Sequence, residues 1–305
     1  MRSIYAIAIV IGLSGVLSLA QQDDWNRLIS SGDDAMSKHQ YAAAEGSYRE
    51  ALKVAEQHWK KDARISPSLI KLAESCNAQP KKDEAEALAS RAVASSDEAQ
   101  KAFKPKSVEQ EFVKADATAR LLDRAGDIFA TNQKYSEAEK LYRRVIAIRK
   151  EYAEKKPPDR PTDDDYIRFF VQIATSSIVK VADAEDKLAG LYVRENKLQQ
   201  AIELYRKVET IREKEFGPDK PPVASSLHNL ATCYSLMGQY DQAEPLYKRA
   251  LVILENSDYK DDPRTASILE NYALLLRKTS REIEANQLSE KASAIRDKSK
   301  SPPPQ

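Results

Sequence analysis

The chain has 305 residues, of which 42% are hydrophobic and 31% charged, with only 8 glycines. This balance fits a soluble helical protein better than a sheet protein. Lysine and arginine number 48 against 47 aspartates and glutamates, and the resulting net charge of +1 argues against a nucleic-acid-binding surface.

The start of the chain predicts a secretory signal. Arg2 supplies a positive charge, an apolar run begins at Ile4, and a small-x-small site ends at Ala20. We therefore expect residues 1–20 to be cleaved and the protein to be exported, to the periplasm or outside the cell. The alternative is an uncleaved anchor, because the stretch from Ile4 to Ala20 falls at the short end for spanning a bilayer. Only in that case would the protein contact a membrane.

Six alanines mark one recurring pattern. They are Ala44, Ala85, Ala138, Ala201, Ala243 and Ala285. Twelve positions earlier each repeat has a small residue: Gly32, Ala73, Gly126, Ala189, Ala231 and Ala273. Seven positions later each has a small or β-branched residue: Ala51, Ala92, Val145, Val208, Ala250 and Ala292. Four repeats have a tyrosine four positions after the alanine, namely Tyr48, Tyr142, Tyr205 and Tyr247. Because antiparallel helices approach closely only where facing side chains are small, the pattern predicts stacked helix pairs with the tyrosines in the core.

We therefore predict an all-α solenoid over residues 21–297. Its six helix pairs are expected around 25–60, 66–100, 107–153, 162–215, 222–257 and 264–297. One elongated domain is expected, because a solenoid grows by adding units and needs no domain boundary. The tail, residues 298–305, has no apolar content to bury and should be disordered.

The third and fourth pairs are expected to have longer first helices. The interval from Ala85 to Ala138 and that from Ala138 to Ala201 are longer than the others, so both contain insertions. Ser107 and Gln110 form a capping box at the start of one long helix. Thr162 should cap the other, followed by three aspartates at 163–165 whose spacing does not suit a calcium loop. This second long helix either docks a partner or covers the flank of the solenoid.

Cysteine and histidine positions give little support for chemistry. Cys76 and Cys233 lie several repeats apart on predicted apolar faces, so we expect buried thiols rather than a disulfide or a metal site. His39, His58 and His228 are too scattered in the repeat register to form one catalytic site. We predict that the protein is not an enzyme and uses no cofactor and no metal.

Several segments resemble the tetratricopeptide repeat of the kinesin-light-chain type. Residues 238–251, GQYDQAEPLYKRAL, are close to the second helix of that repeat. Residues 216–219, FGPD, with PVA at 222–224 and LHNLA at 227–231, are similar to its inter-repeat loop and first helix, and DPRTA at 262–266 is a weaker copy. Residues 79–82 and 277–280 depart from the pattern, because they lack the Gly-x-Tyr turn. The resemblance implies a right-handed superhelix of six helix pairs.

The resemblance also implies where a ligand binds. First helices of such repeats line a concave groove, and an asparagine there holds the backbone of an extended peptide, since an amide both donates and accepts. The matching groove candidates in this sequence are Asn229, Asn271, His228, Lys187, Arg194 and Arg277. Basic residues among amides would favour an acidic or carboxylate-bearing segment. The alternative is that all six are ordinary solvated residues.

Together these observations predict an exported scaffold that binds a peptide or protein segment. The alternative is a solute-binding accessory protein that holds a small molecule in a pocket where the long helix near Phe170 meets the stack. A third, more remote alternative is an enzyme whose residues converge only in three dimensions.

Overall fold

The computed structural model describes residues 19–58, 64–155 and 164–300. These residues form twelve α-helices and no strand, which confirms the predicted all-α class. The helices are α1 (Leu19–Ser37), α2 (Tyr41–His58), α3 (Ile65–Asn77), α4 (Lys82–Ala102), α5 (Val108–Thr131), α6 (Tyr135–Ala153), α7 (Asp164–Arg194), α8 (Leu198–Phe216), α9 (Pro221–Leu236), α10 (Tyr240–Glu255), α11 (Pro263–Lys278) and α12 (Glu282–Lys300). No helix among the described residues is long and apolar enough to cross a membrane.

The chain divides into two compact units, residues 1–152 and residues 153–305. The first unit contains α1 to α6 and the second contains α7 to α12. Within each unit, consecutive helices pack as pairs and each pair packs on the next, as in an α-solenoid. The predicted solenoid, residues 21–297, thus spans two such units.

The alanine register explains how the helices of a pair approach each other. All six register alanines are completely buried, and the residues seven positions later are at most 1% exposed. The tyrosines of the register are buried as predicted, each at 5% exposure or less. In the first and third pairs the tyrosine hydroxyl donates to a carboxylate on the paired first helix: Tyr48 to Asp33 and Tyr142 to Asp127. The register predicted from spacing is therefore the packing interface of the pairs.

A left-handed residue joins the two helices in five of the six pairs. It lies five positions before the register alanine, with φ between 57° and 73°, at His39, Gln133, Asn196, Gly238 and Ser280. The next backbone N–H then reaches back five positions, as when Lys134 donates to the Phe129 carbonyl at 2.8 Å. Ser280 therefore makes the turn of the sixth pair although the Gly-x-Tyr pattern is missing there.

The second pair uses a different turn, because the equivalent position is Pro80. Proline fixes φ near about −65° and cannot adopt the left-handed conformation. Instead the Lys81 N–H donates to the Gln79 carbonyl at 2.8 Å, and α4 begins at Lys82. The departure seen in the sequence is thus a real change of turn in this pair only.

The two insertions do extend first helices, as predicted. With 24 and 31 residues, α5 and α7 are longer than the other first helices, which have 13 to 19. Ser107 Oγ accepts from the Gln110 N–H at 3.3 Å, and the Gln110 side chain accepts from the Lys106 N–H, so the capping box reaches one position further back than usual. Val171 on α7 is 59% exposed.

Several sequence predictions fall outside the described residues. The Thr162 cap and residues 1–18 of the predicted signal are among them, and so are residues 301–305 of the tail. The side chain of Phe170 is also outside, so the predicted small-molecule pocket stays a prediction. At the other end, α12 continues to Lys300, three residues past the predicted end of the solenoid at residue 297. Ile295 is the last buried residue among its described side chains, and the helix continues beyond it.

Candidate functional site

The asparagines predicted to line a groove form a regular row with residues of the preceding first helix. Asn229 on α9 lies two positions before the small register residue of its pair, and its Nδ2 donates to Asp186 Oδ1 on α7 at 3.2 Å. Asn271 on α11 has the same register, and its Nδ2 lies 2.8 Å from His228 Nε2 on α9. We call these four residues the amide row. In both contacts an amide nitrogen is bound to the first helix one repeat earlier.

Because the amide nitrogens make these contacts, the amide oxygens face away from them. Neither Asn229 Oδ1 nor Asn271 Oδ1 has a hydrogen-bond partner among the described residues, and both side chains are half-buried. An amide oxygen only accepts hydrogen bonds. The row therefore presents two equivalent acceptors, one on each of two successive first helices.

His228 is held as a neutral ring. Burial lowers the pKa of His228 to about 4, and the ring lies beside Tyr247 with centroids 6.1 Å apart. Because an amide nitrogen can only donate, its contact with Nε2 requires the tautomer with the proton on Nδ1. The histidine thus acts as the acceptor that orients Asn271.

Asp186 is held by an arginine from the second helix of its own pair. Burial raises the pKa of Asp186, whereas Arg212 and the hydrogen bond from Asn229 act to lower it. Arg212 on α8 is only 11% exposed at its side chain and lies 3.4 Å from Asp186 Oδ1, 3.2 Å from Asp183 Oδ1 and 2.9 Å from Ser226 Oγ. Arg212 could not be predicted from the sequence, since nothing in the register of a second helix shows that its side chain reaches two first helices.

The basic groove candidates are placed differently from the asparagines. The Arg277 guanidinium donates to Ser289 Oγ at 2.8 Å and to Asn286 Oδ1 at 3.4 Å, both on α12. Lys187 is half-buried on α7, and Arg194 is exposed at the last residue of that helix. The structure therefore brings together Asn229, Asn271 and His228, and it binds Arg277 to the second helix of its pair.

In the first unit the same register holds cations instead of amides. Lys71 on α3 and Arg124 on α5 lie two positions before Ala73 and Gly126, as Asn229 lies before Ala231. Lys71 donates to Asp33 of α1, and Arg124 makes two hydrogen bonds with Glu74 of α3. Both cations could have been found from the sequence, by reading the residue two positions before the small register residue in each earlier pair. The contact between successive first helices is thus ionic in unit 1 and amide-based in unit 2.

One cluster has the residue types of a metal site but is occupied by cations. Ligand atoms of Glu45, Cys76 and Glu84 lie within 4.8 Å of one another. However, Glu45 accepts from Lys81 Nζ at 2.6 Å and Arg49 Nη2 at 2.9 Å, and burial raises the pKa of Cys76 to about 11. A protonated thiol and two lysine or arginine partners disfavour a metal ion. We assign the group to an ion-pair cluster around the buried Glu45 carboxylate.

Two segments of the chain match models of known protein families. Residues 180–256 and residues 118–159 each match a family described as tetratricopeptide repeat. Both segments are tetratricopeptide repeats. The first of them contains the Asn229–Asp186 contact of the amide row, and also Arg212. A sequence comparison with curated proteins finds no match.

Three solved structures have the same fold. BtubC (BKLC) from P. vanneervenii is 19% identical with a TM-score of 0.61, and the match covers 88% of this chain and 94% of that protein. A kinesin light chain from Podosopora anserina with nearly identical TPR-like repeats is 18% identical with a TM-score of 0.57, covering 79% and 99%. The apo form of RapI is 13% identical with a TM-score of 0.59, covering 98% and 80%. At these identities the likeness shows the fold alone.

Proposed function

We propose that this protein is an exported tetratricopeptide-repeat scaffold that binds an extended peptide or protein segment along the amide row. The observation that carries the proposal is the pair of unpartnered amide oxygens at one register on successive first helices of the described chain. A peptide in extended conformation offers backbone N–H groups that such acceptors can bind without regard to side-chain identity. Repeat solenoids generally use stacked helices as binding surfaces rather than as catalytic sites.

The half-buried position of the row supports this function further. Side chains that nearby helices already hold in place lose less conformational entropy when a ligand binds. Asp186 and His228 restrain the two amides before any ligand arrives. The exposed leucines Leu236 and Leu274, at 60% and 56% exposure on the same two first helices, add apolar surface for a segment lying along them.

The first experiment is capture followed by mapping. Residues 21–305 are immobilised and exposed to native envelope and secreted extracts, and captured proteins are divided into overlapping synthetic peptides for calorimetric titration. The double variant Asn229→Ala, Asn271→Ala should lose the peptide. The matched control, Asn256→Ala with Gln242→Ala, removes two exposed carboxamides of the same unit outside the row and should retain it. Equal affinity in all three proteins would place binding elsewhere.

Two finer parts of the proposal have their own tests. Export predicts that mass spectrometry of the protein isolated from its source finds Gln21 as the first residue; an intact Met1 would contradict cleavage. An acidic partner segment, proposed because Lys187, Arg194 and Arg277 lie on first helices of this unit, predicts that a Glu-rich form of the mapped peptide binds more tightly than a Lys-rich form. The reverse order would overturn that charge preference.

A further inference from the structure

The contacts around Asp186 connect a second helix to the proposed binding row. Arg212 projects from α8 and contacts the first helix of its own pair, α7, at Asp183 and Asp186. The same guanidinium donates from Nη1 to Ser226 Oγ on α9, the next first helix, and Ser226 is completely buried. One side chain thus ties two turns of α7 to α9.

The orientation of Asn229 depends on this arrangement. Asp186 Oδ1 accepts from Arg212 Nη1 and from Asn229 Nδ2. An ionised carboxylate can only accept, so the asparagine must turn its nitrogen towards Asp186 and its oxygen away. Without Arg212 beside it, burial would raise the pKa of Asp186 further. A protonated carboxyl group can donate as well as accept, so it would no longer fix the orientation of the amide.

We propose that Arg212 is a positioning residue: through Asp186 it fixes the amide of Asn229 with the oxygen outward, so that the row takes hydrogen-bond donors such as backbone N–H groups. The ligand-binding part of this statement rests on the proposed function. It narrows that function, because the amide oxygen, which can only accept a hydrogen bond, is the atom turned away from Asp186 and towards a ligand.

The first test needs no ligand. In the full chain with nitrogen-15-labelled asparagine, the two Nδ2 protons of Asn229 are assigned by their disappearance in Asn229→Ala. In Arg212→Met we expect both resonances to move towards those of an exposed asparagine such as Asn256, and their exchange with solvent to become at least severalfold faster. Arg212→Lys keeps a cation near Asp186 and should give an intermediate pattern.

A matched control separates positioning from general damage. Arg249 on α10 is also a second-helix arginine with two carboxylate partners, Glu209 and Glu213, but it does not contact the amide row. Arg249→Met should leave the Asn229 resonances unchanged while removing a comparable set of ion pairs. Positioning by Arg212 is overturned if Arg212→Met leaves Asn229 unchanged, or if Arg249→Met moves it equally, with circular dichroism confirming that both variants are folded.

The second test uses the mapped peptide. Arg212→Met and Asn229→Ala should each weaken its binding by roughly threefold to tenfold, the size of one hydrogen bond. The double variant should be no weaker than the worse single variant, because both remove the same contact. Additive losses would overturn the shared route. If no peptide binds in any protein, the proposed function fails, while the ligand-free resonances still decide whether Arg212 positions Asn229.

Discussion

Gly126 lies so close to the Tyr142 ring that a side chain would not fit. A Cβ atom there would be 2.7 Å from Tyr142 Cε1, and the ring is buried at 3% exposure. We expect Gly126→Ala to lower the free energy of unfolding by about 1–3 kcal/mol, because overpacking outweighs the better helix propensity of alanine. Denaturant titration followed by circular dichroism measures this change.

Gly190 provides the matched control for that substitution. It is also a glycine of a long first helix, but a Cβ there would have only the Tyr205 hydroxyl within reach, at 3.6 Å. Gly190→Ala should therefore be neutral or raise the free energy of unfolding by up to about 1 kcal/mol. Equal destabilisation by the two variants would show that close ring contact is not what requires Gly126.

The left-handed turn residues predict a stabilising substitution. Gln133 has a φ of 65° and Asn196 a φ of 58°, a conformation that costs most side chains roughly 1–2 kcal/mol and asparagine less. Gln133→Gly should raise the free energy of unfolding by about 0.5–1 kcal/mol after the entropic cost of glycine, and Asn196→Gly should raise it less. A larger gain at Asn196 than at Gln133, in thermal or denaturant unfolding, would contradict this order.

At the scale of the helices, ion pairs at one register connect successive second helices. An arginine six positions after the register alanine binds an acidic residue twelve positions after the previous one in three cases, Arg91 with Glu56, Arg144 with Asp97 and Arg249 with Glu213. These pairs are largely exposed, so each adds little stability. They align neighbouring repeats more than they stabilise them.

Glu45 is the exception, because it is buried at 7% exposure and joins α2 to the turn before α4. Burial alone would raise the pKa of Glu45, but hydrogen bonds from Lys81, Arg49 and Gln79 lower it from 4.5 to about 2. A carboxyl group with a lowered folded-state pKa stabilises the fold above its unfolded pKa, and this contribution is lost as the pH falls from about 4.5 towards 2.

The variant Glu45→Gln should reveal this pH dependence. At pH 7 we expect a loss of about 1–3 kcal/mol in the free energy of unfolding, the range for hydrogen bonds to charged groups. Towards pH 2 the difference from the unsubstituted protein should shrink, since the Glu45 carboxyl group is then increasingly protonated. Denaturant unfolding at both pH values measures this difference in the free energy of unfolding. Glu50 is exposed, so Glu50→Gln is the control, and we expect it to change the free energy of unfolding little at either pH. A difference that stays constant with pH would contradict the ionic origin.

Periodicity predicted the helix pairs, but not the contacts of the amide row. Ala44 and its five equivalents could be found because burial recurs at fixed spacing along each helix. Asn229 meets Asp186 rather than Lys187, which occupies the equivalent register on α7, because the rotation of one first helix against the next sets the partner. Likewise, a left-handed turn at Ser280 follows from tertiary packing, which overrides the preference of the position for glycine.

At the scale of the whole molecule, two compact units imply two buried cores whose stabilities are measurable separately. Repeat proteins depart from two-state unfolding when their units are unequally stable. The sequence has tryptophans at positions 25 and 59 only, and Trp25 lies on α1 of the first unit, where its Nε1 donates to Ser68 Oγ, so tryptophan fluorescence reports that unit, whereas far-ultraviolet circular dichroism reports all helices. The two signals together can therefore tell which unit unfolds.

Leu69 and Leu227 form a matched pair for this measurement. Each is completely buried and lies four positions, about one helical turn, before the small register residue of its pair, Leu69 in the first unit and Leu227 in the second. Truncating such a leucine to alanine costs about 2–5 kcal/mol in transfer and cavity terms. Leu227→Ala should move part of the circular dichroism transition to lower denaturant and leave the fluorescence midpoint in place, while Leu69→Ala should move the fluorescence midpoint. If Leu227→Ala shifts both signals equally, the chain unfolds as one cooperative body, and the stability of the amide row is set by all six helix pairs rather than by α7 to α12.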